Sequence, residues 1–211
     1  MIEDLDFETY LYISKDKFQI FVLNKKKLKN LYSQELKIDH QFDFKDLNIL
    51  LNFLDKNIYK IEKLIGNFIK NIILIVENEK NLKINMGIKK SYETSLKQKS
   101  FSSNLTELKD LFKKNYQDQT IMHMCIINYI IDGKRYSSFD TKLINDYFCI
   151  EVSFIAIDNK LVFAFDNVLE KYQIKIKQYM CGNYINNFIG DTGDEISIIA
   201  NKLRNGLNIN E

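Results

Sequence analysis

The sequence predicts a mixed α/β protein organised as two lobes. Three observations predict it. The composition is that of a folding chain, with 45% hydrophobic and 13% aromatic residues. Short apolar runs alternate with longer stretches whose apolar residues recur at helical spacing. The resulting order is three strands, a helix and a strand, then a strand–helix–strand–strand–helix–strand block. That order sets a joint near Val76–Leu82.

Each element has its own warrant. Tyr10–Ile13 and Phe18–Leu23 read as strands around a short turn at Ser14-Lys15-Asp16, and Leu28–Ile38 reads as a third. The basic turn Asn24-Lys25-Lys26-Lys27 reads as a solvated hairpin tip and not a phosphate site. From Phe44 through Leu47, Leu50, Leu54, Ile58 and Ile61 to Ile65 runs one apolar stripe, hence a long helix. Asp43 is its expected N-cap, Asp46 favours the dipole, and Gly66-Asn67 is the stop signal. Ile69–Glu77 is apolar on both faces, as in a sheet covered by helices.

Leu82–Ile88 is a further strand, and Ser91–Ser103 is the weakest, most polar stretch. Leu105, Leu108, Leu111 and Phe112 mark a short helix. Thr120–Ile131 is a long apolar strand, closed by Asp132-Gly133. A type I′ hairpin turn needs positive φ at both those positions. Lys134–Phe139 returns along it, and Tyr147–Ile157 follows with Phe148, Ile150, Val152 and Phe154 on one face. Asp158 or Asn159 caps a helix carrying Leu161, Phe165, Val168, Leu169 and Tyr172. Ile174–Met180 is the last strand, and short helices near Tyr184–Ile189 and Glu195–Arg204 close the chain.

Composition excludes several functions. Thirty basic and 28 acidic side chains leave a formal charge of +2, a poor footprint for nucleic acid. The basic residues are lysines apart from Arg135 and Arg204, which fits codon bias in an AT-rich genome. Phe18, Phe21 and Tyr32 could stack bases, but they fit the buried face of strands, so no nucleic-acid partner is expected. The acidic start Met1-Ile2-Glu3-Asp4 is no signal peptide, and the apolar runs are too short to span a bilayer. With neither terminus an amphipathic anchor, the expectation is a soluble, cytoplasmic chain without a direct membrane anchor.

Catalytic chemistry is equally hard to find. Cys125, Cys149 and Cys181 are odd in number and lack metal spacing, so they read as reduced thiols. The only histidines are His40 and His123. His123 shares a strand face with Cys125, Ile127 and Tyr129 by simple alternation. A Cys–His pair is conceivable there, but apolar neighbours disfavour the thiolate and a core histidine fits better. Asp191-Thr192-Gly193 occurs once and reads as a turn, with Asp194 capping the next helix. No glycine-rich nucleotide loop is present. No catalytic residue and no metal ligand is therefore assigned.

Two segments carry a family resemblance. Tyr10-Leu11-Tyr12-Ile13-Ser14-Lys15-Asp16-Lys17 resembles the phosphate-loop hairpin G-[IL]-D-I-G-[TS]-S-K of the actin-like division protein FtsA, with Ile13 and Lys17 in place. The stretch from Ile121 to Gly133 resembles that family's I-x-H-V-L-P-Q-E-Y-x-[IV]-D-G segment, with His123, Tyr129, Asp132 and Gly133 in place. The resemblance implies a partial actin-like (ribonuclease H-like) lobe over residues 1–79. It further implies an inserted strand–helix–strand–strand subdomain over 80–182 and a helical return over 183–211. It also implies a cell-division role in which the inserted subdomain binds other division proteins or its own kind. Such a protein works at the cytoplasmic face of the inner membrane at the division site, held there by a partner.

The departures imply a loss. Tyr12 stands where the family has the aspartate that helps hold metal-bound phosphates, and Ser14 stands for the loop glycine. A Cβ crowds the close backbone approach that a phosphate needs. The family's second lobe, which carries its FtsZ docking site, has no counterpart in the 211 residues. The vestigial phosphate loop of Tyr12, Ser14 and Lys17 is thus expected to bind no nucleotide. ATP and magnesium are cofactors only if the family function survives. A degenerate actin-like ATPase, or a pilus or envelope assembly scaffold of the same superfamily, is the alternative.

Overall fold

A computed structural model describes residues 6–39, 42–91, 98–138, 147–189 and 194–206, with no side-chain detail at 91 and 98–102. Its elements in chain order are β1 (Phe7–Ile13), β2 (Lys17–Asn24), β3 (Lys29–Lys37), α1 (Asn48–Ile65), β4 (Asn71–Val76) and β5 (Leu82–Ser91). Then come α2 (Gln98–Asn115), β6 (Gln119–Ile131), β7 (Lys134–Tyr136), β8 (Tyr147–Asp158) and α3 (Asn159–Glu170). The chain closes with β9 (Lys175–Cys181), α4 (Gly182–Asn186) and α5 (Ile196–Arg204). Two compact units result: the chain up to Lys80 together with the chain from Leu161, and the intervening Asn81–Lys160.

The first unit is a five-stranded sheet in the order β3-β2-β1-β4-β9. β1, β4 and β9 run parallel, and β2 and β3 complete an antiparallel edge. Both faces are covered, which is why β1 and β4 are apolar throughout. On one side Phe18 packs on Phe53 of α1, whose stripe from Leu50 to Ile65 is buried. On the other, Tyr10, Tyr12, Phe21, Ile73, Ile75 and Met180 pack with Ile185, Ile196 and Ile199 of the two terminal helices. Phe18 and Phe21 are therefore core residues with no face to offer a base.

Two details of this unit differ from expectation. Helix α1 starts at Asn48, later than the Asp43 cap predicts. Asp43 accepts from the Lys45 N–H and Asp46 from the Asn48 N–H, both at 3.0 Å. These local turns compete with the helix and leave Phe44 outside it, edge-on to Phe42 and Phe165. The end is as expected: Gly66 adopts φ 69°, and its N–H reaches the Glu62 carbonyl. The second difference concerns α3 beyond Lys160 and β9. The resemblance assigns them to the insertion, but β9 pairs with β4 and both belong to the first unit.

The second unit is a four-stranded antiparallel sheet in the order β5-β8-β6-β7. Leu108 and Phe112 of α2 pack onto Phe148, Ile150, Val152 and Phe154 of β8. Phe112 stacks on Phe154 with centroids 4.7 Å apart. Helix α2 runs well beyond the expected Leu105–Phe112; the weak stretch from Ser91 falls partly on 92–97, outside the described residues. The hairpin is as expected, with φ of 47° at Asp132 and 83° at Gly133 and a two-residue loop joining Ile131 to Lys134. Asp158 caps α3, its carboxylate accepting from the Lys160 N–H at 2.7 Å.

Alternation along β6 is broken twice. Register shifts lie between Ile121 and His123 and between Ile126 and Asn128. Each bulge inserts a residue and turns the following ones to the other face. His123 and Cys125 share the face away from α2, opposite Ile155 and Ser153. Tyr129, expected beside them, instead packs in the α2 core.

Candidate functional site

In open α/β sheets, ligands bind beyond the carboxyl ends of the parallel strands. Here those ends are Ile13-Ser14, Val76-Glu77 and Cys181-Gly182. The phosphate-loop residues Tyr12 and Ser14 are placed there by β1, and Lys17 begins β2. The resemblance makes this turn a vestigial phosphate loop; its chemistry is set by the hydrogen bonds it makes.

The turn after β1 spends its donors on itself. The Ser14 N–H reaches the Lys17 carbonyl at 3.0 Å. The Ser14 hydroxyl, fully buried, accepts from the Lys17 N–H at 3.1 Å and the Asp16 N–H at 3.4 Å, and donates to the Asp16 carboxylate. Cradling a phosphate needs several backbone N–H groups aimed outward. Here the N–H groups of residues 14, 16 and 17 aim inward, and the turn adds the anionic Asp16. Its hydrogen bond from Ser14 holds the Asp16 carboxyl below its ordinary pKa.

The space beside the turn is filled. The Tyr12 hydroxyl donates to the Glu77 carboxylate, and the Asn186 amide donates to the same oxygen. Burial, reinforced by that carboxylate, pushes the Tyr12 phenol well above its usual range, so it stays a neutral donor. Lys17 Nζ lies 5.6 Å from the Tyr12 ring centroid and 3.9 Å from Glu35. Lys15 pairs with Glu79 at 2.8 Å. Gly182 meets Glu77 so closely that a Cβ there would lie 2.8 Å from the Glu77 Cβ. Tyr12, Glu77, Gly182 and Asn186 thus form one polar cluster at this end of the sheet, with Asn186 at its exposed edge. Sequence reasoning found Tyr12 and missed Glu77 and Asn186, which are 65 and 109 residues away from their partners in the chain.

The family-motif residues do not converge. Asp132 and Gly133 form the hairpin turn, where the Asp132 carboxylate accepts from the Tyr147 N–H at 3.1 Å. Tyr129 and His123 lie on opposite faces of β6. His40 and Asp191-Thr192-Gly193 lie outside the described residues. Asp194 is described: the α5 cap is Glu195, and the Asp194 carboxylate pairs with Lys202. Among the described residues no group of three or more His, Cys, Asp or Glu side chains could hold a metal, and no helix is long and apolar enough to cross a membrane.

Burial lowers the His123 pKa to about 4, so the folded chain holds a neutral imidazole. In the unfolded chain it titrates near 6.5. Between these values the unfolded state binds more protons, so stability rises with pH. Urea melts should show up to about 3 kcal/mol lost as pH falls from above 6.5 to 4, and His123→Gln should flatten that slope.

A second polar cluster was not legible in sequence. Glu8 on β1 accepts from Tyr10 at 2.8 Å, Arg204 at 2.7 Å and Asn201 at 3.1 Å. Arg204 also donates to Gln178 on β9 at 2.8 Å. Burial opposes ionisation of Glu8, but the Tyr10 hydroxyl and the Arg204 cation outweigh it and hold the carboxyl below its ordinary pKa. This network fastens α5 to the sheet. Its role is architectural, because its hydrogen bonds join β1, β9 and α5 to one another.

No family model matches the chain, and no curated protein matches it. Solved structures do. A PilM–PilN type IV pilus biogenesis complex aligns at 6% identity and a TM-score of 0.53, covering 88% of this chain and 50% of that one. The cytoplasmic domain of EpsL, an inner membrane component of the type II secretion system of Vibrio cholerae, aligns at 9% identity and a TM-score of 0.38, over 83% and 57%. A Bacteroides thetaiotaomicron protein with an actin-like ATPase fold and unknown function aligns at 15% identity and a TM-score of 0.31, over 89% and 58%. The chain thus spans about half the length of the solved chains it matches. Its fold is a mixed α/β one, a partial actin-like lobe with an inserted sheet-and-helix unit.

Proposed function

We propose that this chain is a non-catalytic, protein-binding component of a bacterial envelope assembly, in a cell-division setting of the FtsA type. One observation carries the loss of catalysis: the turn after β1 directs its N–H groups into its own hydrogen bonds, with Tyr12 and Glu77 closing the space beside it. Titration calorimetry with magnesium-ATP should give no saturable heat; micromolar binding overturns this reading.

The partner surface lies on the inserted unit. Within that unit α2 covers one face of the sheet, and the β5 half of the other face is exposed through Lys83, Asn85 and Lys89. A pilus or secretion scaffold is the second reading, favoured by the likeness to the PilM–PilN complex. Attachment at the cytoplasmic face of the inner membrane through a partner suits either setting. Localisation of a fluorescent fusion separates them. A mid-cell band that follows the division cycle supports the division setting, and foci independent of the cycle support the scaffold.

A further inference from the structure

One end of the five-stranded sheet gathers basic groups from three separate stretches of chain. Because β1, β4 and β9 run parallel and β2 runs against them, the β2–β3 turn, the entry to β4 and the entry to β9 share one end. That end is opposite Ser14 and Glu77. The turn contributes Lys26 and Lys27, the entry to β4 contributes Phe68 and Lys70, and all four are exposed. Lys25, Phe68, Lys70 and Lys177 line one open groove of about 530 Å³.

Charge and apolar surface coincide here. The Phe68 ring is 80% exposed, just past the α1 stop at Gly66, and packs into no core. Of the acidic groups nearby, Glu8 is only 14% exposed and pairs with Arg204 at 2.7 Å and Lys177 at 3.7 Å, Asp6 pairs with Lys25, and Glu62 accepts from the Ile69 N–H at 3.1 Å. Among the described residues, Lys26, Lys27 and Lys70 pair with no carboxylate. These three exposed lysines leave uncompensated positive charge at this end of the sheet. Codon bias explains many lysines, but not their convergence around an exposed aromatic.

We propose that this pole rests on an anionic lipid surface, with the lysines facing headgroups and Phe68 entering the interfacial layer. Lysine suits such a diffuse charged surface and is depleted from protein–protein interfaces. Lysines beside an exposed aromatic combine attraction to anionic headgroups with apolar burial at the interface. The groove is of a size to admit a phospholipid headgroup. The inference is independent of the protein-binding reading, since it concerns a different unit, and it adds a direct lipid contact to attachment through a partner.

The experiment is sedimentation of the full chain with vesicles of phosphatidylcholine, alone or mixed with phosphatidylglycerol. Pelleting is expected only with the anionic lipid, and salt of about 0.5 M should release it. Each lysine near such a surface changes partitioning by roughly fivefold. The exposed triple variant Lys26→Glu/Lys27→Glu/Lys70→Glu should therefore lose well over tenfold while keeping the parent melting curve, and Phe68→Ser should weaken binding at unchanged charge. Absence of pelleting with anionic vesicles at low salt overturns the proposal, as does equal pelleting with neutral ones. Capture of a polyglutamate peptide without vesicle binding also overturns it and assigns the pole to an acidic protein.

Discussion

Glu8→Ala is expected to destabilise the first unit by about 3–5 kcal/mol, the usual cost of leaving a buried ion-pair partner alone. Both side chains of the Glu8–Arg204 pair are 14% exposed, so solvent screens them little. Arg204 cannot neutralise itself by losing a proton. In the variant it retains only Gln178 and the Tyr10 hydroxyl, and the Asn201 amide loses an acceptor as well. Arg204→Met should cost less, because Glu8 can take up a proton and Lys177 stands 3.7 Å away. The pH dependence follows from the depressed Glu8 pKa. Its contribution is complete above the ordinary 4.5 and is lost as pH falls through the lower folded value. Urea midpoints of parent and both variants at pH 3 and pH 7 check this. Equal losses for the two variants would contradict the account.

Phe112→Ala should cost the second unit about 3–5 kcal/mol through lost burial and the cavity left behind. Phe112 is fully buried and stacks on Phe154 while touching Tyr116 at 5.0 Å between centroids. Among the described residues of that unit, α2 is the helix that covers the core face of the sheet, and Leu108 is its other deep anchor. Native-state hydrogen exchange should show protection lost along β5, β6 and β8 and retained along β1 and β4. A uniform loss across both sheets would show that the two units unfold as one. Phe112→Leu, which keeps most of the volume, should lose less than half as much.

Much of the fold was legible in the chain because its cues are local. Gly66 stops α1, Asp132-Gly133 turns the hairpin, and two-sided apolar β4 announces a sheet covered on both faces. The misreadings have local causes too. Asp43 and Asp46 look like a cap and a first turn but form turns of their own before Asn48. The bulges in β6 add residues that no period-two count anticipates, which sends Tyr129 into the core and leaves His123 on the far face.

The candidate site was half legible. The replacement of an expected aspartate by Tyr12 can be seen in sequence, and so can the β-carbon at Ser14. What closes the site cannot, because Glu77 and Asn186 reach Tyr12 only when β4 and the short α4 arrive at the same end of the sheet. The same holds for the basic pole, whose members lie in three segments that look like separate solvated tips.

Local cues along the chain therefore account for the elements, their order and the class of fold, since periodicity, turn residues and burial preference act over a few residues at a time. Which residues meet depends instead on long-range packing, which places β9 beside β4, Arg204 against Glu8, and Lys70 and Phe68 in one groove with Lys25. Such pairings depend on the parallel sheet order, and no local propensity encodes contacts between segments scores of residues apart.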